Sequence, residues 1–131
     1  MSWPDACLKV LSKIEEYEES EDFKNPVTRE EVGDEWWKAY CETIDYHVDF
    51  TTIRYKVLEC ECKGVSQFEY DMKKVFSNCK KFNEPNSEIY NSATFCERLF
   101  QRLFRAVKKK FNEGEKLREA GINLSIGGIQ I

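Results

Sequence analysis

The chain reads as an all-α protein, a bundle of four helices with one long connection between the first and the second. Three observations carry that reading. Apolar residues recur at steps of three and four along four separate stretches, which puts them on one face of a helix. No stretch alternates apolar and polar residues as a half-buried strand does. Capping and breaking residues fall between the periodic stretches rather than within them. At 131 residues the chain suits one domain with a real core. Its 41% hydrophobic and 34% charged residues suit a folded chain rather than a disordered one.

The first helix is expected over residues 4–20. Pro4 fits the first helical position, and Leu8, Leu11, Ile14 and Tyr17 follow at spacings of three. Residues 21–48 lose that period and hold Pro26, Gly33 and mixed charge. A connection of this length without structure of its own is uncommon and usually functional or disordered. Its aromatics (Phe23, Trp36, Trp37, Tyr40, Tyr46) predict a packed loop. The second helix should start after Asp49, an N-cap by residue type, carry Ile53, Val57 and Leu58, and break at Gly64. Ser66-Gln67-Phe68-Glu69 has the capping-box form and predicts the start of the third helix. Phe68, Met72, Val75, Phe76 and Cys79 make its apolar face.

That third stripe runs into Asn83, where the helix should stop, and a link containing Pro85 follows. The fourth helix is expected from Ser87, with Ile89, Ala93, Cys96, Phe100, Leu103 and Val107 on one face. It should end near Phe111 or Asn112, with Gly114 as the stop. This divides the chain into a domain over residues 1–112 and an extension over 113–131. The segment 122–131 is apolar around Gly127-Gly128, and both packing on the bundle and a free end fit it.

Composition narrows the function classes. No apolar run reaches the roughly 18 residues of a membrane span, so a membrane role is not expected. The N-terminus lacks the basic start and apolar stretch of a signal peptide, so the six cysteines are expected to be reduced, mostly buried thiols in an intracellular protein. Cys41 is the thiol expected to be exposed nearest the aromatic connection. The net charge of −4 conceals two poles. Glu15, Glu16, Glu18, Glu19, Glu21, Asp22, Glu30, Glu31, Asp34 and Glu35 face only Lys24 and Arg29, whereas Arg102, Arg105, Lys108, Lys109 and Lys110 cluster near the other end. Solvated helix faces account for this pattern, and so does an acidic rim that draws in a basic peptide. Cys60-Glu61-Cys62 with His47 lacks metal-ligand spacing, so no metal or cofactor is expected. No nucleophile motif or phosphate-cradling glycine loop is present, and no enzyme activity is expected.

The stretch around Asn83 carries the functional signal. An Asn held between two packed helix ends can present its amide NH2 into the mouth of a bundle, which suits recognition of a neutral carbonyl. Taken in order, Asp49-Phe50-Thr51-Thr52-Ile53, then Phe68 and Asp71, Asn78-Cys79 and Phe82-Asn83, then Ser87, Ile89, Tyr90 and Ala93, resemble the bromodomain family from about residue 4 to residue 111. The resemblance implies a left-handed four-helix bundle that reads acetylated lysine, most plausibly on histone tails, as a monomeric nuclear module within a chromatin complex. By position, Asn83 would donate to the acetyl carbonyl and Tyr40 would hold that carbonyl through a water. Val27 would be a wall, Ile89 the gatekeeper and Phe23 the floor beside the acetyl methyl. Trp36, Trp37, Phe82 and His47 are rim or shelf candidates.

The chain departs from the family pattern at three places. Glu21-Asp22-Phe23 replaces a common Trp-Pro-Phe shelf, His47 replaces the proline two before the Asp of the second helix, and the loop from Val27 to Tyr40 is longer. The competing class is a helical protein-interaction module with an acidic rim, indifferent to acetylation. A secondary nucleic-acid contact through Lys108-Lys109-Lys110 would add to either.

Overall fold

The computed structural model describes residues 1–119, and among these there is no strand. The helices are α1 (Trp3–Glu15), α2 (Arg29–Val32), α3 (Asp34–Thr43), α4 (Phe50–Leu58), α5 (Val65–Phe82) and α6 (Glu88–Glu119), with a 3₁₀ segment over Glu18–Phe23. The bundle consists of α1, α4, α5 and α6. Helix α6 packs along α5 and α1, while α4 fills the remaining corner against α1 and α5. The four expected helices are present, and the long connection, expected as a packed loop, carries helices of its own. None of the described helices is long and apolar enough to cross a membrane.

Helix α1 begins at Ser2, whose hydroxyl accepts from the Asp5 amide. It buries Ala6, Cys7, Val10, Leu11 and Ile14. It stops at Glu15, short of the expected residue 20. Glu15, Glu16, Glu18 and Glu19 crowd the negative end of the helix dipole, so the chain tightens into the 3₁₀ segment instead. Tyr17 therefore leaves the core face; it is 41% exposed and rests against Phe95. Ser20 is buried and donates its hydroxyl to the Tyr17 carbonyl, closing that turn.

The span 21–48, expected as a packed loop without helical period, in fact holds α2 and α3. Thr28 and Glu31 form a capping box that starts α2, and Gly33, with φ of +92°, turns the chain into α3. Helix α4 starts at Asp49 as expected, the carboxylate accepting from the Thr52 amide at 3.1 Å. It ends well before Gly64. Cys60 takes a left-handed backbone with φ of +61°, and the amides of Glu61 and Cys62 fold back onto the Lys56 carbonyl. Leu58 consequently points to solvent. Helix α5 starts at Val65 with Gly64 as its N-cap, not at the Ser66 capping box. Gln67 accepts from the Lys63 amide, and Glu69 pairs with Lys73 and Lys108.

Helix α6 passes through Gly114 to Glu119. One glycine costs a helix only about 1 kcal/mol, and the flanking Glu, Lys, Leu and Arg are strong helix formers that outweigh it. The expected segment 122–131 lies outside the described residues. The core is dominated by phenylalanine: Phe50, Phe68, Phe76, Phe100 and Phe104 are all buried. Truncating any of these to Ala should cost about 3–5 kcal/mol.

All six cysteines are free thiols. Cys7, Cys62 and Cys96 are buried, Cys79 is half-buried, and Cys41 and Cys60 are exposed. Burial pushes the thiols of Cys7 and Cys96 up to about 12 and that of Cys79 to about 11, against 9.0 for a free thiol. A thiol reagent added to the native protein should therefore label Cys41 and Cys60 and spare the buried three until denaturant is added, as read by peptide mass spectrometry. Stability to denaturant should hold through neutral pH and fall above about pH 9. In that window the unfolded chain has released thiol protons that the folded chain still retains.

Candidate functional site: a cavity at the open end of the bundle

The cavity lies where the 3₁₀ segment, α2, α3, the α3–α4 link, the end of α5 and the start of α6 meet. Its volume is about 560 Å³, within the usual range for small-ligand pockets. Phe23 is one of its lining residues. It is buried and packs edge-on against Phe76 at 5.8 Å and tilted against Phe50 at 6.3 Å. The 3₁₀ segment is drawn in from the other side by Thr51, whose amide and hydroxyl both donate to the Lys24 carbonyl. One strap thus fixes this segment to the start of α4.

Asn83 ends α5 in extended backbone, with φ of −105° and ψ of 150°. A left-handed helix cap is therefore not its role; the left-handed position in this turn is Asn86, with φ of +70°. The Asn83 side-chain nitrogen donates to the Cys79 carbonyl at 2.9 Å. A primary amide carries two such protons. The same nitrogen also donates weakly to the Cys79 sulfur at 3.7 Å, so Cys79 holds the amide at the cavity wall.

Tyr40 is buried on the facing wall, its ring stacked on Trp37 at 5.7 Å and 11°, and edge-on to Phe82 at 4.9 Å. Burial, more than the neighbouring Cys41, Cys79 and Glu31, raises its phenol above the ordinary value, which keeps it a protonated donor.

Of the candidates from sequence, Asn83, Tyr40, Phe23, Val27, Ile89, Trp36 and Phe82 all line this cavity. Trp37 and His47 do not; both pack on Tyr40 from behind, His47 at 5.6 Å. Trp36 is the indole at the mouth, 58% exposed. The sequence reading missed Val32, Val48, Val75, Asn78 and Cys79 as lining residues. Val75, Asn78 and Cys79 lie one and two turns before Asn83, so helical spacing alone could have placed them. Val32 required recognising the short helix behind Thr28-Arg29-Glu30-Glu31. Asp22, Glu31 and Glu84 line the cavity from three separate elements and are exposed, whereas no Lys or Arg lines it. Among the described residues no group of three or more His, Cys, Asp or Glu could hold a metal ion.

A family model described as Bromodomain matches residues 7–94. Tyrosine-protein kinase BAZ1B of Danio rerio is 32% identical over 99 residues, which is 76% of this chain and 6% of that protein. Histone acetyltransferase GCN5 of Debaryomyces hansenii is 29% identical over 98 residues, covering 75% of this chain and 20% of that protein. The chain thus spans a small fraction of the length of these relatives. The solved bromodomain of human BAZ1A superposes with a TM-score of 0.70 at 24% identity, over 78% of this chain and 91% of that one, a match of fold.

The placement of the two indoles generates a ligand-free test. Trp37→Ala should lose about 1–2 kcal/mol of unfolding free energy, because its ring backs Tyr40. Trp36→Ala should change stability by less than about 0.5 kcal/mol. Equal losses in denaturant titrations would contradict the placement.

Proposed function

Since the chain belongs to the bromodomain family, a family of acetyl-lysine reader modules, we propose that its cavity takes an acetylated lysine directly, with Asn83 donating to the acetyl carbonyl. The carrying observation is the Asn83 amide, which lines the cavity and is held there by Cys79, through its carbonyl and only weakly through its sulfur, so that a carbonyl ligand can replace the weak contact. Tyr40 supplies the second polar contact through a water, the acetyl methyl sits toward Phe23, and the lysine stem passes between Val27 and Ile89. Acetylation removes the lysine charge and leaves one carbonyl and one methyl. An apolar cavity with one amide donor and one hydroxyl satisfies that carbonyl. An unmodified lysine would have to strip its ammonium of water, at a cost of several kcal/mol. A difference of about 3 kcal/mol already exceeds a hundredfold in affinity.

The partner is an acetylated histone tail, in a nuclear chromatin complex. Support comes from the carboxylates of Asp22, Glu31 and Glu84 around the mouth, which complement a peptide rich in Lys and Arg. The domain acts as a reader module, and the catalytic names of its long relatives belong to those proteins.

Calorimetric titration with an acetylated histone-tail peptide beside its unmodified twin tests the proposal. Binding of the acetylated form alone is expected. Asn83→Ala should abolish it with helicity retained, and Tyr40→Phe should weaken it by about 1–2 kcal/mol. Equal binding of both peptides would make the chain an acetylation-independent interaction module instead.

A further inference from the structure

The two polar groups that the proposed reading assigns to one carbonyl come from different elements, Tyr40 from α3 and Asn83 from the end of α5. Their separation depends on how the link between α3 and α4 is held against α5. That link, residues 44–49, has no regular structure, and its His47 amide makes no main-chain hydrogen bond among the described residues. Common members of the family resembled by the sequence have a proline at that position, which would restrict the backbone there. Here the restriction is absent.

A polar cluster stands beside the gap. The Tyr46 hydroxyl donates to Asp71 Oδ1 at 2.9 Å and accepts from Lys56 Nζ at 2.6 Å. The Tyr46 carbonyl accepts from Asn78 Nδ2 at 2.8 Å. Asp71 is 2% exposed and Asn78 is 8% exposed, so both are fixed in the packed face of α5. Asn78 also lines the cavity, one turn before Asn83. Lys56 reaches in from α4, with its ammonium 3.9 Å from the second oxygen of Asp71. Next to Tyr46, Asp45 pairs with Lys74 of α5 at 3.1 Å. A buried carboxylate tolerates few arrangements, because losing one partner leaves an uncompensated charge. The cluster therefore has one geometry, and Tyr46 inherits it.

We propose that Tyr46 is a positioning residue of the cavity: hydrogen-bonded at its hydroxyl by Lys56 and Asp71 and at its carbonyl by Asn78, it fixes the α3–α4 link to α5 and takes the place of the missing proline at His47. It touches no ligand. It sets where Tyr40 and Val48 stand relative to Asn83, and this inference rests on the acetyl-lysine reading of that site.

A mutant cycle tests it. Tyr46→Phe keeps the ring and the Asn78 bond but removes the hydroxyl bonds, and should weaken acetyl-peptide binding by roughly tenfold through lost preorganisation. His47→Pro alone should change affinity by less than about twofold, and the Tyr46→Phe/His47→Pro double variant should return to within about threefold of wild type. Melting temperature should not recover in step, because the proline does nothing for Asp71. That split separates positioning from a general loss of stability. Lys56→Met opens the same clamp from the other side and should show the same rescue. Wild-type affinity in Tyr46→Phe, or no rescue by His47→Pro in either background, would overturn the proposal. Hydrogen exchange at residues 44–48 reads the clamp without ligand: it should quicken in Tyr46→Phe and slow again in the double variant. If the wild-type protein binds no acetylated peptide, the reader assignment fails, yet unchanged exchange would still overturn the clamp and quickened exchange would still support it.

Discussion

Everything at the open end of this bundle depends on Phe23 being part of the core and of the cavity lining at once. A long connection between helices tends to drift, since each ordered residue costs about 1–2 kcal/mol of backbone entropy. Here one ring packs against both Phe50 of α4 and Phe76 of α5, which also touch each other, so one side chain belongs to the core and to the cavity lining together. The strap from Thr51 to Lys24 and the short 3₁₀ segment hold the residues on either side. The cavity keeps its shape because this lining ring cannot leave without opening the core.

The polar elements follow a different logic. Arg54 of α4 makes a two-pronged pair with Glu15 at the end of α1, and Lys80 of α5 joins Glu97 of α6 at 2.7 Å. These pairs are partly exposed, and such pairs contribute modestly to stability. They do fix how the helices meet. The buried Asp71 is of another kind, because its two oxygens face Tyr46 and Lys56 and leave little freedom. Around the cavity mouth the carboxylates of Asp22, Glu31 and Glu84 stay in solvent, where they make the local field negative.

Much of this was legible in the residues, for identifiable reasons. The stripes on α5 and α6 are long and strongly periodic, and Phe68, Met72, Val75, Phe76, Ala93, Cys96 and Phe100 are buried as the spacing requires. Asp49 reads as a cap and is one. Helix ends were less legible wherever the signal was not the usual residue. Cys60 takes a left-handed turn that glycine normally takes, and Gly114 sits in a helix it was expected to stop. The acids after Glu15 end α1 through the dipole, an effect that apolar spacing does not register. Asn83 and Tyr40 were singled out through resemblance and both line the cavity, whereas Tyr46 was read only as one more aromatic of a packed loop. Its importance lies in partners 10, 25 and 32 residues away, which no local pattern reveals.

The short helix α2 buries no residue, yet it brings Glu31 and Val32 to the cavity. Its start depends on one reciprocal pair of bonds between Thr28 and Glu31, and its end on Gly33. Changes elsewhere on its surface therefore fall in the class of substitutions that leave stability nearly untouched. Selection can rewrite that side of the mouth one residue at a time, with the core indifferent to the outcome. The fold thus separates what must be inherited from what is free to diverge: the chemistry of the mouth can change without first needing a sturdier scaffold.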